Sequence, residues 1–177
     1  KLPKVSFSLN IDNTPYAEGA KKGVSSLTSS LIGNGSKKIS KDAFNEEIDF
    51  LGASIGFSSH GAYASSLSKY AGRILELMAD GALHPNFTAN ELDKEKAKLI
   101  EGLKADEKSA SAIAGRVQNV LTYGKEHYNG EFTSEETLKN VTLQDVINHY
   151  NTYFVPANAY LVVIGDVKTK DVKKKVQ

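Results

Sequence analysis

The sequence predicts an α+β domain, with a mostly antiparallel sheet and helices packed on one of its faces. Three observations predict it. An alternating apolar–polar stretch opens the chain and a nearly continuous apolar run stands close to its end. A short hairpin pattern lies between helical patterns. Strands and helices therefore come in runs, not in the strict alternation that builds a parallel sheet.

Val5, Phe7, Leu9 and Ile11 alternate with polar residues, the period of a half-buried strand. A Pro- and Gly-punctuated connection follows, and a serine-rich helix is expected over residues 20–32, with Val24, Leu27 and Leu31 at helical spacing. Gly33 and Gly35 stop it. Ser40 can cap the next helix, in which Phe44, Ile48 and Leu51 share one face, and Gly52 ends it. Residues 53–58 and 62–67 read as a hairpin around His60 and Gly61. A helix over 69–83 carries Ile74, Leu75, Met78 and Leu83, and Pro85 prevents its continuation. Thr88 and Glu91 form a capping box that opens a long charged helix. Leu92, Leu99 and Leu103 give it an apolar stripe, and Lys94, Glu95, Lys96, Lys98 and Glu101 are assigned to its wet face. A helix over 110–123 follows. Thr142 and Asp145 open another, with Val146, Ile147 and Tyr150 inward. Residues 159–164 (AYLVVI) read as a central strand buried on both faces or nearly so.

The 177 residues suffice for one sizeable core, and the expected boundaries are a domain over 1–167 and the start of a further helix or segment over 168–177. Lys1 in place of Met, and an apolar pattern cut short after Lys168, lead to the expectation of one module of a longer protein. A net charge of +1, without basic residues interleaved among aromatics, gives no basis for nucleic-acid binding. The absence of cysteine excludes disulfides and thiolate metal sites, and no apolar run approaches the ~18 residues of a membrane span. The four histidines, His60, His84, His127 and His149, have no two-His helical spacing and are expected at the surface.

The segment TLQDV…Y…YFVPANAYLVVIGD, residues 142–166, combines a capped helix, aromatics, Pro-x-Asn, a hydrophobic strand and Gly-Asp. It resembles the end of the first subdomain in zinc peptidases of the pitrilysin/insulinase (inverzincin) type. Residues 50–55 (FLGASI) resemble the helix-to-strand turn of that family. His84-Pro85-Asn86-Phe87 with Glu91 resembles its P-x-F…E step. Residues 123–130 (YGKEHYNG) resemble its H-P-Y-G loop, with Tyr128 in place of the proline and Asn129 in place of the aromatic. The matches fall in order over most of the chain. They imply the fold of the mitochondrial-processing-peptidase-like metallohydrolases.

In that family the serine helix carries H-x-x-E-H, which places two imidazoles on one helix face to bind Zn²⁺, with a Glu as base. Here the histidine positions hold Ser26 and Ser30, and the glutamate position holds Ser29. The third ligand of active relatives is a Glu on the long charged helix, seven residues after another acidic residue. Glu95 matches the earlier position, so the ligand position falls on Gly102. Glu101 is adjacent, but one helical step turns a side chain by about 100°. A slip of one residue would make Glu101 the ligand and still leave no imidazole.

The resemblance therefore implies a non-catalytic member with no metal or other cofactor and no catalytic residue. Its expected partners are the remaining domains of its parent chain or a catalytic zinc-peptidase subunit, and possibly an extended peptide. The expected role is to complete a substrate-binding chamber or to support an active half. The alternative is a scaffold subunit without a peptidase partner. A different chemistry on the same fold would require a new polar cluster, and the sequence alone shows none. Resemblance to bacterial relatives favours the cell envelope or periplasm.

Overall fold

The computed structural model describes residues 3–176. Four strands, β1 (Lys4–Ile11), β2 (Ser54–Ser58), β3 (Gly61–Leu67) and β4 (Ala159–Gly165), form one antiparallel sheet in the order β2-β3-β1-β4. Along β1 the odd positions turn inward, so Val5, Phe7 and Ile11 are buried while Ser6, Ser8 and Asn10 face the other way. The helices are α1 (Val24–Ile32), α2 (Lys41–Phe50), α3 (Ala71–Leu83), α4 (Ala89–Asp106), α5 (Ala110–Tyr123), α6 (Glu135–Asn140), α7 (Leu143–Tyr153) and α8 (Thr169–Val176).

Two apolar clusters hold these elements. The first lies between the sheet and α2 and α3, and includes Val5, Phe7, Phe44, Ala64, Ile74, Leu77 and Met78. The second joins α1, α4, α6 and α7 through Val24, Leu27, Leu31, Leu92, Leu138 and Val146. Ile32, at the end of α1, belongs to the first cluster, so α1 bridges the two.

Ser40 caps α2 as the sequence predicts, accepting a hydrogen bond from the Ala43 N–H. Thr88 accepts from the Glu91 N–H, which is one half of the expected box, and Ser109, which the sequence reading did not single out, accepts from Ala112. Thr142 and Asp145 form a reciprocal box that opens α7.

Four expectations are corrected. The serine helix does not run from residue 20; a 3-10 turn at Gly19–Lys21 precedes Gly23, whose φ of 108° only glycine adopts easily, and α1 begins after it. β4 is an edge strand instead of a central one. Its inner residues Leu161 and Val163 are partly covered, and Tyr160, Val162 and Ile164 are exposed. Glu95 is buried, because Leu92, Glu95 and Leu99 follow one another on the helix face turned toward α1. His149 is also buried, one turn after Val146 on the face of α7 that packs on α1.

Candidate functional site

Gly23 caps α1 because a Cβ there would lie 2.7 Å from the Leu138 side chain. Its N–H donates to Glu18 at 2.7 Å. Val24, Leu27 and Leu31 anchor one face of the helix in the second cluster, which turns the intervening serines away from that core. Ser26 is exposed, and Ser29 and Ser30 are half-buried. Ser29 donates to the Ser25 carbonyl at 2.9 Å and accepts the Ser59 N–H at 2.8 Å, which ties α1 to the hairpin tip. Ser25 and Ser59 share a hydroxyl hydrogen bond of 2.7 Å, and Ser59 lies 3.0 Å from His60 Nδ1.

On α4 the Glu95 carboxylate takes a hydrogen bond of 2.6 Å from Lys98. Glu101 is exposed. Gly102 is exposed too, and a Cβ built on it meets no atom within 4 Å. Zinc in this fold family needs two imidazoles and a carboxylate directed at one point. The serine hydroxyls of α1 and the glycine of α4 do not fit it. Among the described residues, no three His, Cys, Asp or Glu side chains converge where they could hold a metal ion.

Beside the serine helix the fold builds a polar cluster that sequence reasoning missed. His149 Nε2 pairs with the Tyr16 hydroxyl, and Tyr16 stacks on Tyr153 at 4.0 Å between ring centroids. His149 Nδ1 is buried and has no hydrogen-bond partner among the described residues. Burial, reinforced by nearby His60, lowers the His149 pKa to about 4. Burial, with the Glu18 carboxylate nearby, pushes the Tyr16 phenol up to about 12. Both groups are therefore neutral near pH 7, and the ring tautomer sets which of them donates. One ring nitrogen is occupied and the other is enclosed, so the pair cannot take a proton from an incoming molecule without opening; it joins the loop before α1 to α7. The sequence does carry a signal for it: Val146, His149 and Tyr153 repeat at helical spacing and share the face that meets α1.

A carboxylate holds the approach to α1. Glu131 accepts the Glu18 and Gly19 N–H groups at 2.9 Å each and the Lys22 ammonium at 2.9 Å. Burial works to raise its pKa, but the hydrogen bonds from Glu18, Lys22 and Gly19 outweigh it and leave the carboxyl below its usual range. His60 sits exposed at the hairpin tip, His84 at the end of α3 beside Asp80, and His127 in a loop between the Tyr123 and Tyr128 rings. His84 and His127 thus stand apart, while His60 lies near His149.

Comparison with known proteins agrees with this frame. Residues 3–137 match the family model described as insulinase (peptidase family M16), and residues 140–177 match the model described as the peptidase M16 inactive domain. An uncharacterized zinc protease of Bacillus subtilis, YmxG, is 27% identical over 160 residues, covering 86% of this chain and 39% of that protein. The peptidase M16 inactive domain from Pseudomonas fluorescens superposes with a TM-score of 0.85 at 22% identity, over 99% of this chain and 44% of its own. A protease from Helicobacter pylori gives 0.85 at 18% identity over 98% and 43%, and the periplasmic protease PqqL from Escherichia coli 0.78 at 16% over 98% and 21%. The chain thus spans less than half the length of each of these relatives. With most of its length matched by the insulinase model, the chain belongs to the insulinase family of peptidases, M16.

Proposed function

We propose that this chain is a zinc-free peptidase domain that completes a peptide-binding chamber, or braces an active half, in proteolysis carried out by a partner. What carries the reading is that Ser26, Ser29, Ser30 and Gly102 stand where the resemblance puts the ligands and base, on a scaffold that packs α1 against α4 and α7. A neutral hydroxyl binds zinc poorly and takes up protons poorly near pH 7, and a water molecule is not activated without the metal's ligand shell. The match of residues 140–177 to a model described as an inactive domain supports it. So does β2, which lies on α1 and has β3 as its only strand neighbour among the described residues. Its free backbone edge can take an extended peptide as an added strand. We read residues 1–167 as the folded unit of this domain and 168–177 as the start of the next segment, with the cell envelope as its compartment.

Elemental analysis and peptide hydrolysis with and without EDTA test the reading. The purified chain should carry no stoichiometric zinc and cleave nothing in an EDTA-sensitive way; stoichiometric metal together with EDTA-sensitive cleavage would overturn it. The assigned positions have their own test. Combining Ser26→His, Ser29→Glu, Ser30→His and Gly102→Glu should install one zinc per chain, and failure of a folded variant to bind zinc would show that the positions are wrong. A pull-down from native extract separates the two roles. Recovery of a chain bearing H-x-x-E-H supports the partnered role, whereas a complex lacking one favours a scaffold subunit.

A further inference from the structure

The polar side chains between the hairpin tip and α7 stand in one line. His60 is exposed at the tip, between β2 and β3. Its Nδ1 lies 3.0 Å from the Ser59 hydroxyl, which is 2.7 Å from that of Ser25 in the first turn of α1. The Ser25 hydroxyl is within hydrogen-bonding reach of the Tyr16 phenol, and Tyr16 pairs with His149 Nε2. Ser59 and His149 are buried, so the line starts in water and ends in the interior. Each of its three hydroxyls has one proton to give and a lone pair to receive another. An unbroken line therefore runs in one sense only, with every donor pointing outward to His60 or every donor pointing inward to His149.

The inner end decides the sense. A neutral imidazole carries its proton on one nitrogen. His149 Nδ1 is enclosed, and no described residue bonds to it. A proton on Nδ1 would be a buried donor without an acceptor. A proton on Nε2 donates to Tyr16 and leaves only an unpaired acceptor behind, which folded proteins tolerate more readily. Tyr16 then donates to Ser25, Ser25 to Ser59 and Ser59 to His60 Nδ1.

We propose that this line is a pH-sensitive switch, in which protonation of His60 at the surface reverses the hydroxyls and changes the tautomer of the buried His149. A protonated imidazole has an N–H on both nitrogens, so Ser59 can no longer donate to His60 and must accept from it. Ser59 then donates to Ser25, Ser25 to Tyr16 and Tyr16 to His149 Nε2. His149 gives up its Nε2 proton and takes one on Nδ1, both exchanged with water during a brief opening, so the ring stays neutral. Imidazole is the side chain that changes charge between pH 5 and 8. Burial keeps that of His149 neutral down to about pH 4, so the switch is thrown at the wet end. The other ionisable groups around the line are Glu18, Glu131 and Tyr153, all close to Tyr16. Glu18 is held on the Gly23 N–H, and Glu131 on Lys22 and two backbone amides. The line joins the loop before α1, α1 itself, the hairpin tip and α7, so acidity sensed at His60 is delivered to the contact of α1 with α7. Neither histidine stands at a position assigned to zinc, so the switch is tested apart from the zinc-free reading.

Long-range ¹⁵N–¹H NMR of the histidine rings reads both tautomers on the 177-residue chain between pH 8 and pH 5. His149 should be the Nε2–H form at pH 8. Its ratio of Nδ1–H to Nε2–H should rise at least about fivefold, the worth of one hydrogen bond, with the same midpoint as the titration of His60. Ser25→Ala cuts the line in the middle, and there His60 should still titrate while His149 keeps one tautomer. His60→Gln removes the titrating end and should have the same result at His149. Ser25 is half-buried in a helix and His60 is exposed, so both variants should fold, which circular dichroism checks. An Nδ1–H ring at pH 8, a His149 tautomer that does not follow His60, or an unchanged response in Ser25→Ala would overturn the proposal.

Discussion

Acidification from pH 7 to pH 4.5 should destabilise this domain through His149 before its carboxylates are affected. The ring is 7% exposed, with Tyr16 on one nitrogen and no partner on the other. Burial, with His60 nearby, takes its pKa from the ordinary value of 6.5 to about 4. The fold therefore favours the neutral ring, while the unfolded chain takes up a proton at about 6.5. The contribution is fully present above that pH, is lost as the pH falls toward 4, and changes no further below it. At about 1.4 kcal/mol for each pH unit, the whole interval is worth roughly 3 kcal/mol at most, a sizeable part of the 5–15 kcal/mol typical of a domain. The carboxylates act lower. Burial works to raise the Asp145 carboxyl, but Lys21 and Thr142 more than offset it and hold it at about 2. Its contribution is lost only as the pH falls below about 4. Urea unfolding at half-unit steps from pH 7 to 4.5, on the native chain and on His149→Gln, isolates the effect. The native chain should lose stability across the window, and the variant should be nearly flat. A native profile without slope, an equal slope in the variant, or a folded-state ring titration near 6.5 by NMR would refute the reasoning.

Three further outcomes follow from backbone groups. Glu131→Ala should cost about 2–4 kcal/mol in urea unfolding, because the Glu18 and Gly19 N–H groups lose a charged acceptor. Hydrogen exchange at those two amides should speed up, and protection equal to the native chain's would count against the assignment. Gly61→Ala should cost more than about 3 kcal/mol, since φ there is 146° and a Cβ would lie 2.0 Å from the Leu9 carbonyl oxygen. Gly102→Ala, in open space within α4, should instead stabilise by about 0.5–1 kcal/mol, and equal effects at the two glycines would contradict these geometries.

The fold was legible where local chemistry decides it. Ser40, Thr88 and Thr142 cap the helices they were expected to cap, and the alternation of β1 puts Val5 and Phe7 in the core. Polar residues on helix faces were read less well. Glu95 and His149 are buried because helix rotation places them between apolar neighbours, and residue type alone suggests the opposite. The candidate positions rest on the resemblance alone. Serine at 26, 29 and 30 carries no chemistry of its own, and the assignment comes from the order of the turns, caps and strand around those residues. Of the polar cluster of Tyr16, Ser25, Ser59 and His149 only the inward face of α7 was legible, because the rest joins a loop, a helix and a hairpin tip across more than 130 residues of sequence.

The misreading of β4 has a physical content of its own. A run of six mostly apolar residues is the pattern of a strand covered on both faces, yet within this chain one face of β4 is bare. Sequence composition responds to burial in the final assembly, whereas a single chain's structure records only the burial within it. Tyr160, Val162 and Ile164 are where the two disagree, and Ile113, Val117 and Leu121 disagree in the same sense on α5. Scattered exposed apolar residues are ordinary on any protein surface. Among the described residues, six of the thirteen exposed large apolar side chains fall on one helix stripe and one strand face, while the other seven, Phe50 among them, lie elsewhere. The β4 pattern thus differs from its surroundings on one face only: Leu161 and Val163 meet the core as the run of apolar residues predicts, and Tyr160, Val162 and Ile164 do not.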